Sequence, residues 1–222
     1  GTCQFQNAGE AEYGDVDLRL ALTYSSDVYF YNLAANFDIL PGFDLESVQV
    51  AATYFGYGVR TGVTLADEGS GRIPTPASRR EAYRQNPEAF LTGQWLTGDT
   101  LNTSIGQGDV LATPLQIANA YSALVNGGTL YAPNLGMRVL DPITGNTEVE
   151  FAPRILREVY LPETISEPIL DGLAGVTTWR ADNGTEGTAY EAFKDFPHDD
   201  WPVSGKTGTS EKQAADRLIA DY

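Results

Sequence analysis

Two short clusters in this 222-residue chain place a hydroxyl beside a charge. In Lys206-Thr207-Gly208 a cation and a hydroxyl adjoin a glycine. With only three lysines, 31 Ser/Thr and 23 Gly in the chain, such a triplet arises by chance about 0.04 times. The glycine lets a substrate backbone lie flat against the chain, while ammonium and hydroxyl groups bind a carboxylate. The second cluster, Ser25-Ser26-Asp27, is less specific. Ten serines and 26 Asn/Asp residues produce Ser-x-[Asn/Asp] about once by chance, and two helix-capping residues at a break explain it equally well. Its context is the aromatic run Tyr29-Phe30-Tyr31.

Helices are expected to position both clusters. Asp15 or Asp17 caps a helix running to about Tyr24, with Val16, Leu18, Ala21 and Leu22 at helical spacing. After the polar break, Ser26 or Asp27 caps the next helix, from Val28 to about Phe37. A third runs from Leu45 to Phe55 and stops at Gly56-Tyr57-Gly58. Residues 59–110 read as a long, mostly irregular, lid-like region. Thr113 and Pro114 then open an amphipathic helix through Val125, closed by Asn126-Gly127-Gly128. Strand-like runs Leu135–Leu140 and Thr147–Phe151 flank a turn at 141–146. Glu163 to Trp179 is a helix with Ile165, Ile169, Leu170, Leu173 and Val176 on one side. Residues 202–210 read as a strand entered from a loop. Mixed elements without a βαβ rhythm indicate an α+β fold with an antiparallel sheet.

Composition narrows the function classes. The net charge of −16, with a pI near 4.2, opposes nucleic-acid binding and docking to anionic membranes. No apolar stretch reaches the roughly 18 residues of a membrane span, and no signal-peptide pattern opens the chain. One cysteine, Cys3, forbids an internal disulfide, and one histidine, His198, leaves a Ser-His-Asp triad dependent on a single residue. His198 reads as a solvated loop residue. Trp95, Trp179 and Trp201 read as core or loop anchors rather than ligand platforms. Gly1 is not Met, and the run from Arg217 to Tyr222 is uncapped, so both ends read as cuts in a longer protein.

The motifs together carry a resemblance. Residues 13–34, from Tyr13-Gly14-Asp15 to Asn32-Leu33-Ala34, resemble the second active-site motif of penicillin-binding transpeptidases with its flanking helices. Phe55-Gly56-Tyr57-Gly58 and 68–74 resemble the segment that follows. Residues 104–128 are very similar to a family signature, and Ser204-Gly205-Lys206-Thr207-Gly208-Thr209-Ser210-Glu211 resembles the third motif, in the expected order. The match spans nearly the whole chain. It implies a class B enzyme with the α+β penicillin-recognising serine transpeptidase fold, in which residues 1–222 are part of one transpeptidase domain incomplete at both ends. An acidic Asp27, where many relatives have Asn, resembles the elongation-type members.

The resemblance also implies roles. In that family a Ser-x-x-Lys serine attacks the D-Ala-D-Ala carbonyl of a peptidoglycan stem peptide and is acylated by β-lactams. Ser25 would shuttle a proton and Asp27 would orient the nucleophile's lysine. Lys206 and Thr207 would shape the cleft's field and hydrogen bonds. Thr209 would bind the substrate carboxylate, with its N–H forming half of an oxyanion hole, and Gly208 completes the substrate-binding set. No cofactor is implied, and one Cys and one distant His leave no zinc site. Partners would be stem peptides, β-lactams and the cell-wall elongation or division machinery. The location would be the outer face of a bacterial cytoplasmic membrane, reached through an N-terminal anchor helix. No serine here has a lysine three residues later, so the nucleophile motif is expected upstream of Gly1 and this stretch alone is expected to be inactive. Two readings stay open: a D,D-carboxypeptidase or serine β-lactamase using the same motifs, and a non-catalytic penicillin-recognising sensor or scaffold.

Overall fold

The computed structural model describes residues 5–35, 44–90 and 92–209. Cys3, the helix end placed at Phe37, Ser210, Glu211 and the run 217–222 lie outside them. The chain divides into two compact units, residues 1–29 with 168–222, and residues 30–167, with boundaries inside two helices.

The first unit contains α1 (Leu18–Tyr24), the start of α2 (Asp27–Ala35), most of α7 (Glu163–Thr178) and the short α8 (Tyr190–Phe193). Asp17 caps α1, its carboxylate accepting from the Leu20 N–H at 2.8 Å. Burial of Ala21, Tyr24, Leu173 and Val176 makes this unit's core. Small residues bring α1 and α7 together. A Cβ at Gly172 would stand 2.8 Å from the Arg19 carbonyl oxygen, and one at Gly175 would collide with the Thr23 hydroxyl. The helical spacing of α7 thus marks Leu173 and Val176 correctly, but Ile165 is 48% exposed and the glycines make the close face.

Three expectations for this unit need correction. Residues 202–209 form no strand. Their backbone is taken up by α7 instead: Gly205 N–H donates to Leu173 O at 3.0 Å and Val203 O accepts from the Thr177 hydroxyl at 2.6 Å. His198 is not solvated at its ring nitrogens, which are buried without a hydrogen-bond partner among the described residues as the ring packs on Phe193 and Phe196. Trp201 is 70% exposed rather than a buried anchor, whereas Trp179 donates its indole N–H to the Tyr24 hydroxyl at 2.9 Å.

The second unit carries α3 (Ser47–Tyr54), α4 (Pro76–Gln85), α5 (Thr97–Ser104), α6 (Pro114–Val125) and four short strands. β1 (Thr129–Tyr131) pairs antiparallel with β4 (Ile155–Glu158), and β2 (Arg138–Leu140) with β3 (Thr147–Glu150). The β2–β3 hairpin and its turn match the sequence reading. Asp141 holds that turn by accepting from the Ile143 and Thr144 N–H groups. Residues 59–110 are less irregular than expected, because α4 and α5 lie within them. α4 starts on a reciprocal cap between Thr75 and Ser78 with Pro76 in its first turn, a local signal strong enough to set a helix whose surface is mostly polar.

The most buried tie between α6 and its surroundings is a glutamine side chain. Gln116 is 1% exposed; its amide donates to the Val59 and Ser70 carbonyls at 2.7 Å each and accepts from Thr113 N–H at 2.9 Å. Burying an amide at so little cost requires all of these partners. Gly71, with φ +61°, passes so close that a Cβ would stand 2.6 Å from Oε1 of the Gln116 side chain.

A second clamp predicts a pH effect. Glu68 accepts from the Thr61 N–H and hydroxyl at 2.5 and 2.6 Å and from Gly62 N–H at 3.3 Å. The Thr61 hydroxyl, ahead of the two backbone donors and Arg60, holds this carboxyl below its ordinary value of 4.5. The clamp is therefore in place above the unfolded pKa and lost as pH falls through the lower folded one. Hydrogen-exchange protection of the Thr61 and Gly62 amides should drop across that acidic window and be pH-independent in Glu68→Gln. Equal protection from pH 3 to 6 in the wild type would contradict the clamp.

Candidate functional site

Ser25 sits at the junction of α1 and α2 in the left-handed region, with φ 57° and ψ 50°. This conformation costs a non-glycine residue about 1 kcal/mol or more. It is held from both sides. Ser25 N–H donates to Leu22 O at 3.3 Å and Ser26 N–H to Ala21 O at 2.8 Å. Ser26, 3% exposed, caps α2 by accepting from Tyr29 N–H at 3.3 Å. Asn7 reinforces that corner, its Oδ1 accepting from the Ser26 hydroxyl at 3.3 Å and from Val28 N–H at 3.0 Å, while its Nδ2 donates to Ala11 O.

The Lys206 ammonium nitrogen lies 2.5 Å from Ser25 Oγ and 3.0 Å from Thr207 O. Burial is the largest influence on Lys206 and pushes its pKa below 10.5, with the negative charge of Asp27 opposing the shift. Asp27 also acts on Tyr13, whose phenol is raised first by burial and then by that charge. Tyr13 stacks on Tyr24 with ring centroids 5.2 Å apart. The Thr207 hydroxyl is 2.7 Å from that of Thr188. Thr188 N–H in turn donates to Thr23 O, and Ala189 N–H to Val176 O.

Of the residues singled out in the sequence, Ser25, Lys206 and Thr207 are thus joined by hydrogen bonds, and Asp27 is within electrostatic reach of Lys206. Gly208 and Thr209 are exposed, and space beside the Gly208 Cα is open. Asn7, Tyr13 and Thr188 were not marked by the sequence. Tyr13 opens the quoted second-motif stretch, but nothing local distinguishes Asn7 or Thr188 from other surface-type residues. Chemically, the cluster pairs a hydroxyl with an amine whose burial favours the neutral form, an arrangement suited to moving a proton. Among the described residues, no three His, Cys, Asp or Glu side chains gather as a metal site would need.

The family model described as the penicillin binding protein transpeptidase domain matches residues 2–217. The chain is 31% identical over 211 residues to peptidoglycan D,D-transpeptidase MrdA of Haemophilus influenzae, covering 95% of this chain and 29% of that protein. Its fold is similar to that of penicillin-binding protein PBP2 in the complex with MreC from Helicobacter pylori. The TM-score is 0.68 at 24% identity, over 96% of this chain and 34% of that one. It is also similar to a chain of a peptidoglycan synthase complex solved for the structural coordination of polymerization and crosslinking. There the TM-score is 0.64 at 29% identity, over 91% of this chain and 29% of the other. The expected α+β transpeptidase fold agrees with these neighbours, and the chain spans about 29% of the length of the curated relative.

Proposed function

The chain belongs to the penicillin-binding protein transpeptidase domain family, and from that premise we propose that it forms the supporting half of a peptidoglycan D,D-transpeptidase active site. The reading rests on one observation above the rest: Lys206 Nζ meets Ser25 Oγ at 2.5 Å although 181 residues separate them. A specific motif and a weakly specific one, brought to hydrogen-bond distance, make a single polar centre.

In the proposed reaction a serine outside residues 1–222 attacks the penultimate D-Ala carbonyl of a stem peptide. D-Ala leaves, and the acyl-enzyme passes to the amine of a second stem peptide. Ser25 and Lys206 relay the proton between nucleophile and leaving amine, and Asp27 sets the local charge. Lys206 and Thr207 bind the substrate carboxylate with Thr209, whose N–H supports the oxyanion, and exposed Gly208 leaves room for the substrate backbone. A β-lactam occupies the same site as a substrate mimic. The acidic Asp27 and the similarity to an MrdA protein favour wall elongation over septal work. The likeness to a chain of a peptidoglycan synthase complex supports a wall-polymerising partner. Such work places the site on the outer face of a bacterial cytoplasmic membrane. No described helix is long and apolar enough to cross a membrane, and the anchor helix is proposed to lie outside these residues.

Intact-mass measurement with excess benzylpenicillin tests the assignment. Residues 1–222 alone should show no adduct, because no serine has the required lysine three residues on. The full-length protein should gain one penicilloyl group on a Ser-x-x-Lys serine. An adduct on Ser25 would make the Ser25–Lys206 pair itself the acylating dyad, and an unmodified full-length protein would favour a scaffold.

A further inference from the structure

The second unit holds a cavity of about 290 Å3 lined in part by Arg79, Phe90, Trp95, Asp99, Asn102 and Asp109. Its charges are already matched. Arg79 pairs with Asp99 at 2.6 Å and Asp109 at 3.3 Å, and Arg72 lies 3.6 Å from Asp109, so two cations face two carboxylates. A small ion would have to displace one of these pairs, whereas a neutral polar ligand would not. The aromatic walls are fixed as well. Trp95 is tied through its indole N–H to the Thr100 hydroxyl at 2.8 Å, and Phe90 carries the Arg79 guanidinium 5.1 Å from its ring centroid.

One polar group in this wall is unused. The Asn102 carboxamide makes no hydrogen bond to any described residue, and it offers both donors and an acceptor. A fixed aromatic face, a neutralised carboxylate able to accept from hydroxyls, and an amide wanting an amide partner describe one ligand class. We infer that this cavity is a subsite for a neutral acetamido-pyranose ring, stacked on Trp95 with its N-acetyl group on Asn102 and its hydroxyls on Asp109. The cavity is large enough for one such ring. The inference rests on the peptidoglycan reading above, because it places the glycan strand of the substrate here, apart from its stem peptide.

The test uses chitotriose, a β-1,4-linked trimer of N-acetylglucosamine, with cellotriose as the trimer lacking acetamido groups. Saturation-transfer NMR on the full-length protein should show transfer to the acetyl methyls of chitotriose, with cellotriose binding at least about fivefold more weakly. Asn102→Ala keeps the Cβ that lies beside Gly108 and breaks no described hydrogen bond. It should weaken chitotriose binding about tenfold, as expected for the loss of two amide hydrogen bonds. No chitotriose binding, equal binding of both trimers, or an unchanged affinity in Asn102→Ala would each overturn the subsite. If penicillin acylation proceeds while chitotriose does not bind, the subsite fails and the transpeptidase reading stands. Asn102-dependent chitotriose binding without acylation supports the subsite and removes that reading.

Discussion

Lys206→Ala in the full-length protein is expected to slow acylation by benzylpenicillin about tenfold or more. Lys206 is half-buried, and among the described residues its side-chain hydrogen-bond partner is Ser25. In the proposed site it also binds the carboxylate of the incoming molecule. A charge-assisted hydrogen bond contributes about 1.5–3 kcal/mol, and each 1.36 kcal/mol of barrier is a factor of ten in rate. The alanine deletes this interaction and leaves the Ser25 hydroxyl without its side-chain partner. Rates within twofold of wild type would remove Lys206 from the site. The pH profile supplies the sign. Binding a carboxylate needs the ammonium, and burial holds its pKa below 10.5, so the rate should fall on the alkaline side as pH rises through that lowered value. Asp27 opposes the lowering. Asp27→Asn keeps the shape and removes the charge, so it should move the alkaline limb to still lower pH while retaining activity. An unmoved limb would show that the Asp27 charge does not govern Lys206.

Gly187→Ala should be the most damaging small substitution in the first unit. A Cβ there would collide with the carbonyl oxygen of Gly175 and stand 2.6 Å from that of Val176. Both are backbone atoms inside α7, so no side-chain rotation relieves the clash. Overpacking of this kind costs about 1–3 kcal/mol, a fall in Tm of roughly 2–12 °C for a chain of this size. The displacement also reaches the site, because the residue that follows is Thr188, whose hydroxyl meets that of Thr207. Gly205→Ala is the matched control. Nothing lies within 4 Å of the added methyl, so Tm should stay within about 2 °C. Equal unfolding temperatures for the two variants would show that α7 yields easily at Gly175.

The elements that could be read directly are those whose signals are local. Asp17 caps α1, Ser26 caps α2, Thr113 and Pro114 open α6, and Asp141 holds the β2–β3 turn. In each case the residues that make the element lie within four positions of one another, so short-range hydrogen bonding decides the outcome. α4 carried an equally local cap at Thr75-Pro76, but a polar helix lacks the apolar periodicity that draws attention to it. β1 and β4 are three and four residues long and pair across more than 20 intervening positions. Nothing in either segment announces its partner.

The residues of the candidate site divide in the same way. Residue types alone proposed Ser25, Asp27, Lys206 and Thr207, and motif order joined them to one family. Their meeting is a property of the fold. Gly172 and Gly175 let α1 and α7 approach closely, and Leu173 and Thr177 then tie the 202–209 segment to α7 rather than to a strand partner. Asn7 and Thr188 became visible only there, because a polar side chain is ordinary in sequence until packing gives it a partner. The sequence by itself determined which groups are present and where each local element begins. Tertiary packing alone decided that Lys206 lies 2.5 Å from Ser25, since a contact spanning 181 residues is fixed by the shapes of the helices between them and by no local preference.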